Sequence, residues 1–190
     1  AAEAFRAARG RSGHVTIVHK ANVLRLTTGL FRDVCREVAV RYPDVRVDDF
    51  HVDAMAAMLV RRPEQFDVVV TENLFGDILS DLAGELAGSL GIAASVNCSS
   101  SRAMAQAAHG AAPDIAGQGI ANPVAIIGST AMLLRWYADR TGRADVRAAA
   151  DRIDTAVATT LAAGVCTRDL GGVATTAGFT ERVLADIATS

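Results

Sequence analysis

Apolar residues recur along this chain with two different spacings, and their order predicts an alternation of strands and helices. Short apolar or β-branched runs bounded by turn residues are typical of buried strands. Apolar positions three or four residues apart are typical of amphipathic helices. Before residue 72 the pattern predicts strands over 15–19, 45–52 and 66–71 and helices near 1–9, 29–42 and 53–63. Strands that alternate with helices favour an α/β fold with a parallel sheet.

The pattern is almost wholly helical after Asn73, and a loop rich in Ser, Gly and Ala is predicted over 91–120. The change in composition divides the chain into a first domain of strand and helix units, 1–90, and a second, mostly helical domain, 91–190. The helices predicted after Asn73 cover 74–88, 121–138, 144–163 and 175–187.

The helix predicted in VTENLFGDILSDLAGELAG (70–88) carries two aspartates beside an apolar face. Asp77 and Asp81 are four residues apart, so that they share one side of the helix and repel each other. Either they lie at the wet edge of the apolar face or they bind a cation. The apolar residues predicted to face the core are Leu74, Phe75, Ile78, Leu79, Leu82 and Leu86.

Composition excludes several classes of protein. The 190 residues are 51% hydrophobic and 21% charged with a formal net charge of −2, which is typical of a soluble globular protein. Without a basic run or an apolar run of about 20 residues, neither nucleic acid nor a membrane is an expected partner. Cys35, Cys98 and Cys166 are scattered, with no CxxC pair, so a reducing cytoplasm is the expected location.

Lys20 is the only lysine among 19 basic residues. Arginine stays charged at working pH, whereas a lysine amine gives up its proton where its surroundings make it less basic. Lys20 is therefore a candidate for proton chemistry. The alternative, which composition leaves open, is a surface lysine left by chance in a chain that otherwise uses arginine.

Polar residues follow each of the predicted strands. Lys20 and Asn22 come after the first strand, Asp53 after the second, and Asp77 and Asp81 after the third. Ligands of open α/β sheets bind at the carboxyl ends of the strands. Each residue alone has a simpler explanation, such as a helix N-cap at Asp53. Together, the carboxylates predict a site for Mg²⁺ or Mn²⁺ rather than for zinc.

The segment HGAAPDIAGQGIANP (109–123) predicts a binding loop. It offers several backbone N–H groups, an imidazole, a carboxylate and an amide, and it lacks the GxGxxG of a Rossmann fold. A purely structural loop is the alternative. An aspartate in such a loop can accept both ribose hydroxyls of NAD and would repel the 2′-phosphate of NADP.

Four long segments resemble the isocitrate/isopropylmalate dehydrogenase family of metal-dependent β-decarboxylating dehydrogenases. They are VHKANVLRLTTGLF, VDAMAAMLVRRPEQFDVVVTENLFGDILSDLA, HGAAPDIAGQGIANP and TRDLGGVATTAGFTERV, and the likeness is interrupted around 91–108. The resemblance implies an isopropylmalate-dehydrogenase-like α/β fold, helix-rich after residue 74. It also implies a partial fold, because the family's amino-terminal half, with the arginines that bind the substrate carboxylates, has no counterpart in these residues.

The resemblance assigns metal and catalytic roles. Lys20, with Asp53, matches the catalytic position, and Asn22 matches an asparagine near the nicotinamide. Asp53, Asp77 and Asp81 match the aspartates that hold Mg²⁺ or Mn²⁺ with the substrate. In the family, Lys20 and Asp53 would act in the active site of the neighbouring subunit, which implies a homodimer.

The resemblance also assigns cofactor contacts. His109, Gly110, Asp114 and Asn122 match positions on the adenosine side of the cofactor, and Asp114 followed by Ile115 resembles the members that prefer NAD.

The function implied is NAD-dependent oxidative decarboxylation of a 2-hydroxy diacid such as isocitrate, isopropylmalate or homoisocitrate, with Lys20 accepting the hydroxyl proton. Three alternatives stay open: a non-catalytic regulatory subunit, a split half that needs a complementary amino-terminal chain, and a nucleotide-binding module without chemistry. The segments HKANVLRLTTGLF and TRDLGG favour isocitrate-like or homoisocitrate-like members.

Overall fold

The computed structural model describes residues 1–189, in which seven α-helices and five β-strands form two compact units. The first unit is Ala1–Leu86, and the second begins at Ala87. None of the helices in the described residues is both long and apolar enough to cross a bilayer. The helices are α1 (Ala2–Arg9), α2 (Thr28–Ala39), α3 (Val52–Arg61), α4 (Asn73–Ala87), α5 (Val124–Thr141), α6 (Ala144–Ala162) and α7 (Thr176–Thr189). The strands are β1 (His14–His19), β2 (Arg46–His51), β3 (Val68–Val70), β4 (Ala94–Cys98) and β5 (Ala103–Ala107).

The first unit is built on a three-stranded parallel sheet in the order β2-β1-β3. All six residues of the central strand β1 are buried, as expected for a parallel strand covered on both faces. The register pairs His19 with His51, so that β1 and β2 end side by side. Each strand and helix predicted for this part of the sequence is present, with ends shifted by a few residues. The α/β prediction is confirmed.

Two apolar clusters hold the helices of the first unit on its sheet. Val15 packs with Phe5 and Ala8 of α1, and Val18 packs with Met55 of α3 and Leu79 of α4. Val15 and Val18 are three positions apart and therefore point to opposite faces of β1. The sheet is thus covered by helices on both faces, which is why every residue of its central strand is buried.

The core-facing prediction for α4 is right for half of its residues, since Phe75, Leu79 and Leu82 are buried or half-buried. Leu79 is buried, and Leu82 packs partly against the same cluster, while Leu74 and Ile78 are 68% and 59% exposed. Leu86 is also exposed. The apolar spacing of a helix predicts a face that packs against other apolar residues. Within residues 1–189, the side of α4 around Leu79 packs in this way.

The second unit is formed by three helices and a hairpin. Its core contains Val124 of α5, Ala156 of α6, and Phe179 and Val183 of α7, all at most 7% exposed. The hairpin corrects the loop predicted over 91–120. Strands β4 and β5 pair antiparallel in the register Ala94 with Ala107. The residues of this segment are mostly small. They do not alternate clearly between apolar and polar, and without that alternation the sequence does not predict a strand.

A buried hydroxyl attaches the hairpin to α5. The Oγ of Ser129 accepts the backbone N–H of Ser95 on β4 at 3.0 Å and lies 2.7 Å from the carbonyl oxygen of Gln106 on β5. Ser129 is fully buried, and the adjacent Gly128 leaves room for Ala94, whose Cβ lies 3.1 Å from the position a Cβ of residue 128 would occupy. One serine therefore holds both strands against the helix.

Ser129→Ala is expected to lower the free energy of unfolding by about 1–3 kcal/mol, because the buried N–H of Ser95 loses its acceptor. Urea denaturation followed by circular dichroism measures this loss. Thr130→Ala is the matched control, since Thr130 is the next residue of α5 and is exposed. It should change the free energy by less than about 0.5 kcal/mol. Equal losses in the two variants would contradict the attachment role.

Candidate active site

The structure brings Lys20 and Asp53 together at the end of the first sheet. Lys20 directly follows β1, and Asp53 is the second residue of α3, which begins where β2 ends. Because β1 and β2 are parallel neighbours that end in register, the side chains that follow them meet. The Nζ of Lys20 lies 2.5 Å from Oδ1 of Asp53, and the two side chains are 25% and 68% exposed.

The charge of Asp53 is stabilised from two directions. The hydrogen bond from Lys20 and a backbone N–H hold the pKa of Asp53 below its usual value. The N-cap of α3 is His51, so the prediction of Asp53 as the N-cap is wrong by two positions. In the first turn, Asp53 still lies near the positive end of the helix dipole. The site therefore presents an ionised carboxylate beside the only lysine of the sequence.

The other two predicted metal ligands lie on α4. Asp77 and Asp81 are both exposed and are one helical turn apart on the same side. Within residues 1–189, no three side chains of His, Cys, Asp or Glu form a group able to hold a metal ion. A single chain thus offers one pair of carboxylates on α4 and a separate carboxylate at Lys20. All three supply the oxygen ligands that Mg²⁺ and Mn²⁺ prefer.

The predicted cofactor loop borders a cavity of about 580 Å³ in the second unit. This volume is in the range of small-molecule sites. His109, Gly110 and Asn122 of the predicted set line it. Asp114 is exposed in the short 3₁₀ turn Pro113–Ile115 and is not among the lining residues, and Asn22 is exposed in the first unit. Further lining residues are Ser89, Leu90, Gly91, Ile115, Arg168 and Asp169.

A single carboxylate organises the wall of this cavity. Oδ2 of Asp169 accepts hydrogen bonds from Ser89 Oγ at 2.5 Å and from Asn122 Nδ2 at 2.9 Å, and its Oδ1 accepts one from Thr167 Oγ1 at 2.6 Å. Burial alone would raise the pKa of Asp169, but these three donors hold it below its usual value. The ionised Asp169 therefore connects three segments of chain around the cavity.

The packing around Asp169 leaves space for no side chain at Gly91. A Cβ at that position would lie 2.8 Å from both Asp169 Oδ2 and Asn122 Cβ. The Asn122 side chain already forms hydrogen bonds within the protein, because its Oδ1 also accepts the N–H of Val124 at the start of α5. Its carboxamide thus shapes the loop, and a contact with a nucleotide would come from its backbone or its remaining N–H.

Backbone strain is concentrated in the loop that borders the cavity. Ala112 has a φ of 43°, and among non-glycine residues of the described chain it alone has a positive φ. Gly117 and Gly119 also have positive φ values, of 76° and 66°, which glycine adopts without cost. Strained alanine conformations cost about 1–3 kcal/mol and cluster at ligand sites. This strain favours a binding loop over a purely structural one.

Residues 1–183 match the family model described as isocitrate/isopropylmalate dehydrogenase. The chain belongs to this family. It is 52% identical over 182 residues to an isocitrate/homoisocitrate dehydrogenase of Thermus thermophilus, which covers 95% of this chain and 52% of that protein. It is 50% identical over 188 residues to a 3-isopropylmalate dehydrogenase of Novosphingobium aromaticivorans, with coverages of 96% and 51%. The chain thus spans about half the length of these family members.

Solved structures agree with this family assignment. The isocitrate dehydrogenase of Methylococcus capsulatus is 44% identical with a TM-score of 0.88, and the match covers 98% of this chain and 54% of that one. The β-decarboxylating dehydrogenase of Thermococcus kodakarensis is 41% identical with a TM-score of 0.83, with coverages of 99% and 53%. The prediction of a partial family fold is confirmed. The roles of individual site residues stay predictions.

Three residues of the candidate site were missed in the sequence. Asp169 is part of the TRDLGG segment, yet its hydrogen-bond donors Ser89 and Asn122 are 80 and 47 residues away. His19 and Asp49 lie on the strands β1 and β2, and the spacing of apolar residues along a strand does not indicate which of its polar residues contact each other. Only the placement of distant segments joins these groups, so neither spacing nor local composition identifies them.

Asp169→Asn is expected to lower the free energy of unfolding at neutral pH by about 1 kcal/mol, because solvent partly screens the exposed carboxylate. Because folding lowers the pKa of Asp169, its stabilisation is fully present above the unfolded pKa of about 3.9 and is lost as the pH falls through the lower folded pKa. The gap between wild type and variant should therefore close in acid. Denaturation curves measured between neutral and acidic pH test this.

Asp145→Asn is the control for Asp169→Asn. Hydrogen bonding to Arg143 lowers the pKa of Asp145 to about 2, but the two side chains are 56% and 64% exposed. Solvent screens such a pair, so the expected loss is small. A loss as large as that of Asp169→Asn, or a gap that widens in acid for Asp169→Asn, would contradict the assigned role.

Proposed function

We propose that this chain forms part of an enzyme that oxidatively decarboxylates a 2-hydroxy diacid of the malate type, with NAD as oxidant and Mg²⁺ or Mn²⁺ as the metal. The observation that carries the proposal is the contact between Lys20 and Asp53 at the carboxyl ends of β1 and β2. The only lysine of the sequence meets one of the three predicted metal-binding carboxylates there. Family membership supports the same class of chemistry.

Lys20 is proposed as the general base. Its ammonium donates to Asp53 in the structure. A cation held by Asp53 would favour the neutral form of the neighbouring amine. The neutral amine then accepts the proton of the substrate 2-hydroxyl. Positioned general bases contribute about 10²–10⁴-fold to rates.

The aspartates are proposed as the metal ligands, drawn from two copies of the chain. Asp77 and Asp81 are one turn apart on α4 and are free of salt bridges among those found in residues 1–189, whereas Asp53 stands apart from them beside Lys20. Asp53 of a second copy would complete the set. Mg²⁺ or Mn²⁺ would supply Lewis-acid polarisation of the oxygen on C2 when the substrate is oxidised and decarboxylated.

The exposed apolar side of α4 supports a homodimer. Leu74 and Ile78 are 68% and 59% exposed and stand beside Asp77 and Asp81 on the helix. Contact with a second copy would bury this side while it brings Asp53 of that copy to the α4 carboxylates. A complementary amino-terminal chain is the alternative partner, since the chain spans about half the length of its relatives.

The cavity of the second unit is proposed as the site for the adenosine side of NAD. His109 and Gly110 line it, and the loop carries Asp114 on an exposed turn, where its carboxylate can accept ribose hydroxyls. The same carboxylate would repel the 2′-phosphate of NADP. Asn22 is proposed to contact the nicotinamide from the turn that follows Lys20.

The cytoplasm is proposed as the location of the protein. Cys35 is buried, Cys98 is exposed and Cys166 is half-buried, and all three are free thiols. Free thiols persist in reducing compartments.

Asp77→Asn is expected to abolish metal-dependent turnover while the fold is kept. Asparagine has the shape of aspartate without its charge, and the exposed position of Asp77 makes the exchange harmless to folding. NADH production from a panel of 2-hydroxy diacids, measured against Mg²⁺ concentration, gives the activity, and denaturation gives the stability.

Asp33→Asn is the control for Asp77→Asn, because Asp33 is an exposed helical aspartate of the same unit whose only described pairing is with Arg32. It should retain activity. Turnover of Asp77→Asn that rises normally with Mg²⁺ would refute the metal role.

Lys20→Arg is expected to lower kcat by about 10²–10⁴-fold. Arginine keeps the positive charge and the ion pair with Asp53, but it does not accept a proton at working pH. Steady-state kinetics and Mg²⁺ titration by calorimetry separate the two roles, since metal binding should persist. Normal turnover by this variant would remove Lys20 from catalysis.

A further inference from the structure

We infer that His19 and Asp49 form a positioning pair for Lys20, in which a buried imidazole fixes the turn of backbone that carries the amine. Lys20 is the catalytic base under the proposed function, so the inference rests on that function for its kinetic consequences. That the pair determines the position of the Lys20 amine does not depend on the proposed function, and it is measured separately.

The imidazole of His19 uses both of its nitrogens. His19 is the last residue of β1 and is 2% exposed. Its Nδ1 accepts the backbone N–H of Ala21 at 3.1 Å, and its Nε2 lies 2.9 Å from Oδ2 of Asp49. Since Nδ1 accepts a hydrogen bond, the ring proton is on Nε2 and is donated to Asp49. The ring is therefore held as one neutral tautomer.

Asp49 is in turn held by α2. It lies on β2, next to β1, and its Oδ1 accepts a hydrogen bond from Arg36. Burial would raise the pKa of Asp49, but the hydrogen bonds from His19 and Arg36 hold it below its usual value. An ionised Asp49 can accept from both groups at once, so that helix, strand and imidazole form one chain of hydrogen bonds.

Side chains therefore hold two successive N–H groups where β1 ends. The N–H of Ala21 donates to His19, and the N–H of Lys20 donates to Thr28 Oγ1 at 3.1 Å. Thr28 is 1% exposed and its hydroxyl donates to the carbonyl of Leu24. The carbonyl of Lys20 itself accepts the N–H of Leu24 at 2.8 Å. The backbone on both sides of the Lys20 Cα is thus fixed.

His19 also touches the segment that carries Asp53. Its ring packs edge-to-face on His51, with centroids 5.3 Å apart, and His51 is the N-cap of α3. One buried ring thus contacts the backbone N–H that follows Lys20 and the N-cap residue of the helix that carries Asp53. A displacement of about 1 Å at a reacting group can cost about 10²-fold in rate, so a group that fixes both sides is well placed to control kcat.

The same strand supplies a matched control. His14 begins β1, is 5% exposed, and has its Nε2 2.9 Å from Oδ2 of Asp48 on β2. Its Nδ1 lies 2.9 Å from a guanidinium nitrogen of Arg46. His14 and His19 are therefore both buried histidines with an aspartate of β2, but His14 lies at the opposite end of the strand from Lys20. If both histidines acted in folding alone, neither substitution would move the Lys20 amine.

The experiment compares His19→Gln, His19→Asn and His14→Gln in the complete protein. Glutamine can still reach Asp49, but it offers no acceptor at the position of Nδ1, whereas asparagine can place its Oδ1 there for the N–H of Ala21. The Lys20 amine is labelled by reductive ¹³C-dimethylation, and its NMR signal is assigned by its loss in Lys20→Arg. Steady-state kinetics and denaturation curves are measured on the same variants.

His19→Gln should shift the Lys20 signal and lower kcat by about 10–100-fold, with KM changed by less than about threefold. His19→Asn should recover part of both effects, and His14→Gln should change neither beyond what its loss of stability explains. Asp49→Asn, which keeps the size of the side chain, gives a second route if His19→Gln does not fold, and it should shift the same signal.

An unchanged Lys20 signal and kcat in folded His19→Gln or Asp49→Asn would overturn the inference, as would equal changes in His14→Gln. The proposed function fails separately. If wild type makes no NADH from any 2-hydroxy diacid, and His19→Gln but not His14→Gln still shifts the Lys20 signal, the positioning pair stands and the proposed chemistry does not.

Discussion

The parallel pairing of β1 with β2 is the constraint on which the candidate active site depends. Their register places His19 opposite His51, so that Lys20 and Asp53 leave the sheet at the same edge. Because side chains alternate between faces, a slip of one residue would turn every side chain of a strand to the other face. The same slip would move Asp49 away from His19. Register therefore sets both the ion pair and the support beneath it.

In the second unit, the segments around the cavity are held together by hydrogen bonds to one carboxylate, whereas in the first unit strand pairing positions the site residues. Asp169 accepts from Ser89, Asn122 and Thr167, and thereby holds three segments around one cavity without regular strand pairing. Three donors replace the water that the partly desolvated carboxylate has lost. Gly91 completes the arrangement because only hydrogen fits beside the carboxylate.

Family membership and exposure together explain the unusual surface of α4. A helix with Leu74 and Ile78 in solvent and Asp77 beside them fits an element that completes a site with another chain or segment. The described residues cover about half the length of the relatives. Under the proposed function, the carboxylates of α4 and the Lys20–Asp53 pair would belong to one active site.

The sequence by itself determined the elements, since apolar periodicity is a local property, and it placed Lys20 and Asp53 at the ends of neighbouring strands. It failed at the β4–β5 hairpin, whose small residues have no apolar period, and at the outward side of α4, whose apolar residues meet no partner in the described chain. Only the tertiary structure decided that His19 supports Lys20 and that the Asn122 carboxamide donates a hydrogen bond to Asp169. The hydrogen bonds of His19 with Asp49 and of Asn122 with Asp169 join residues 30 and 47 positions apart, and their geometry comes from the packing of whole elements rather than from any local pattern.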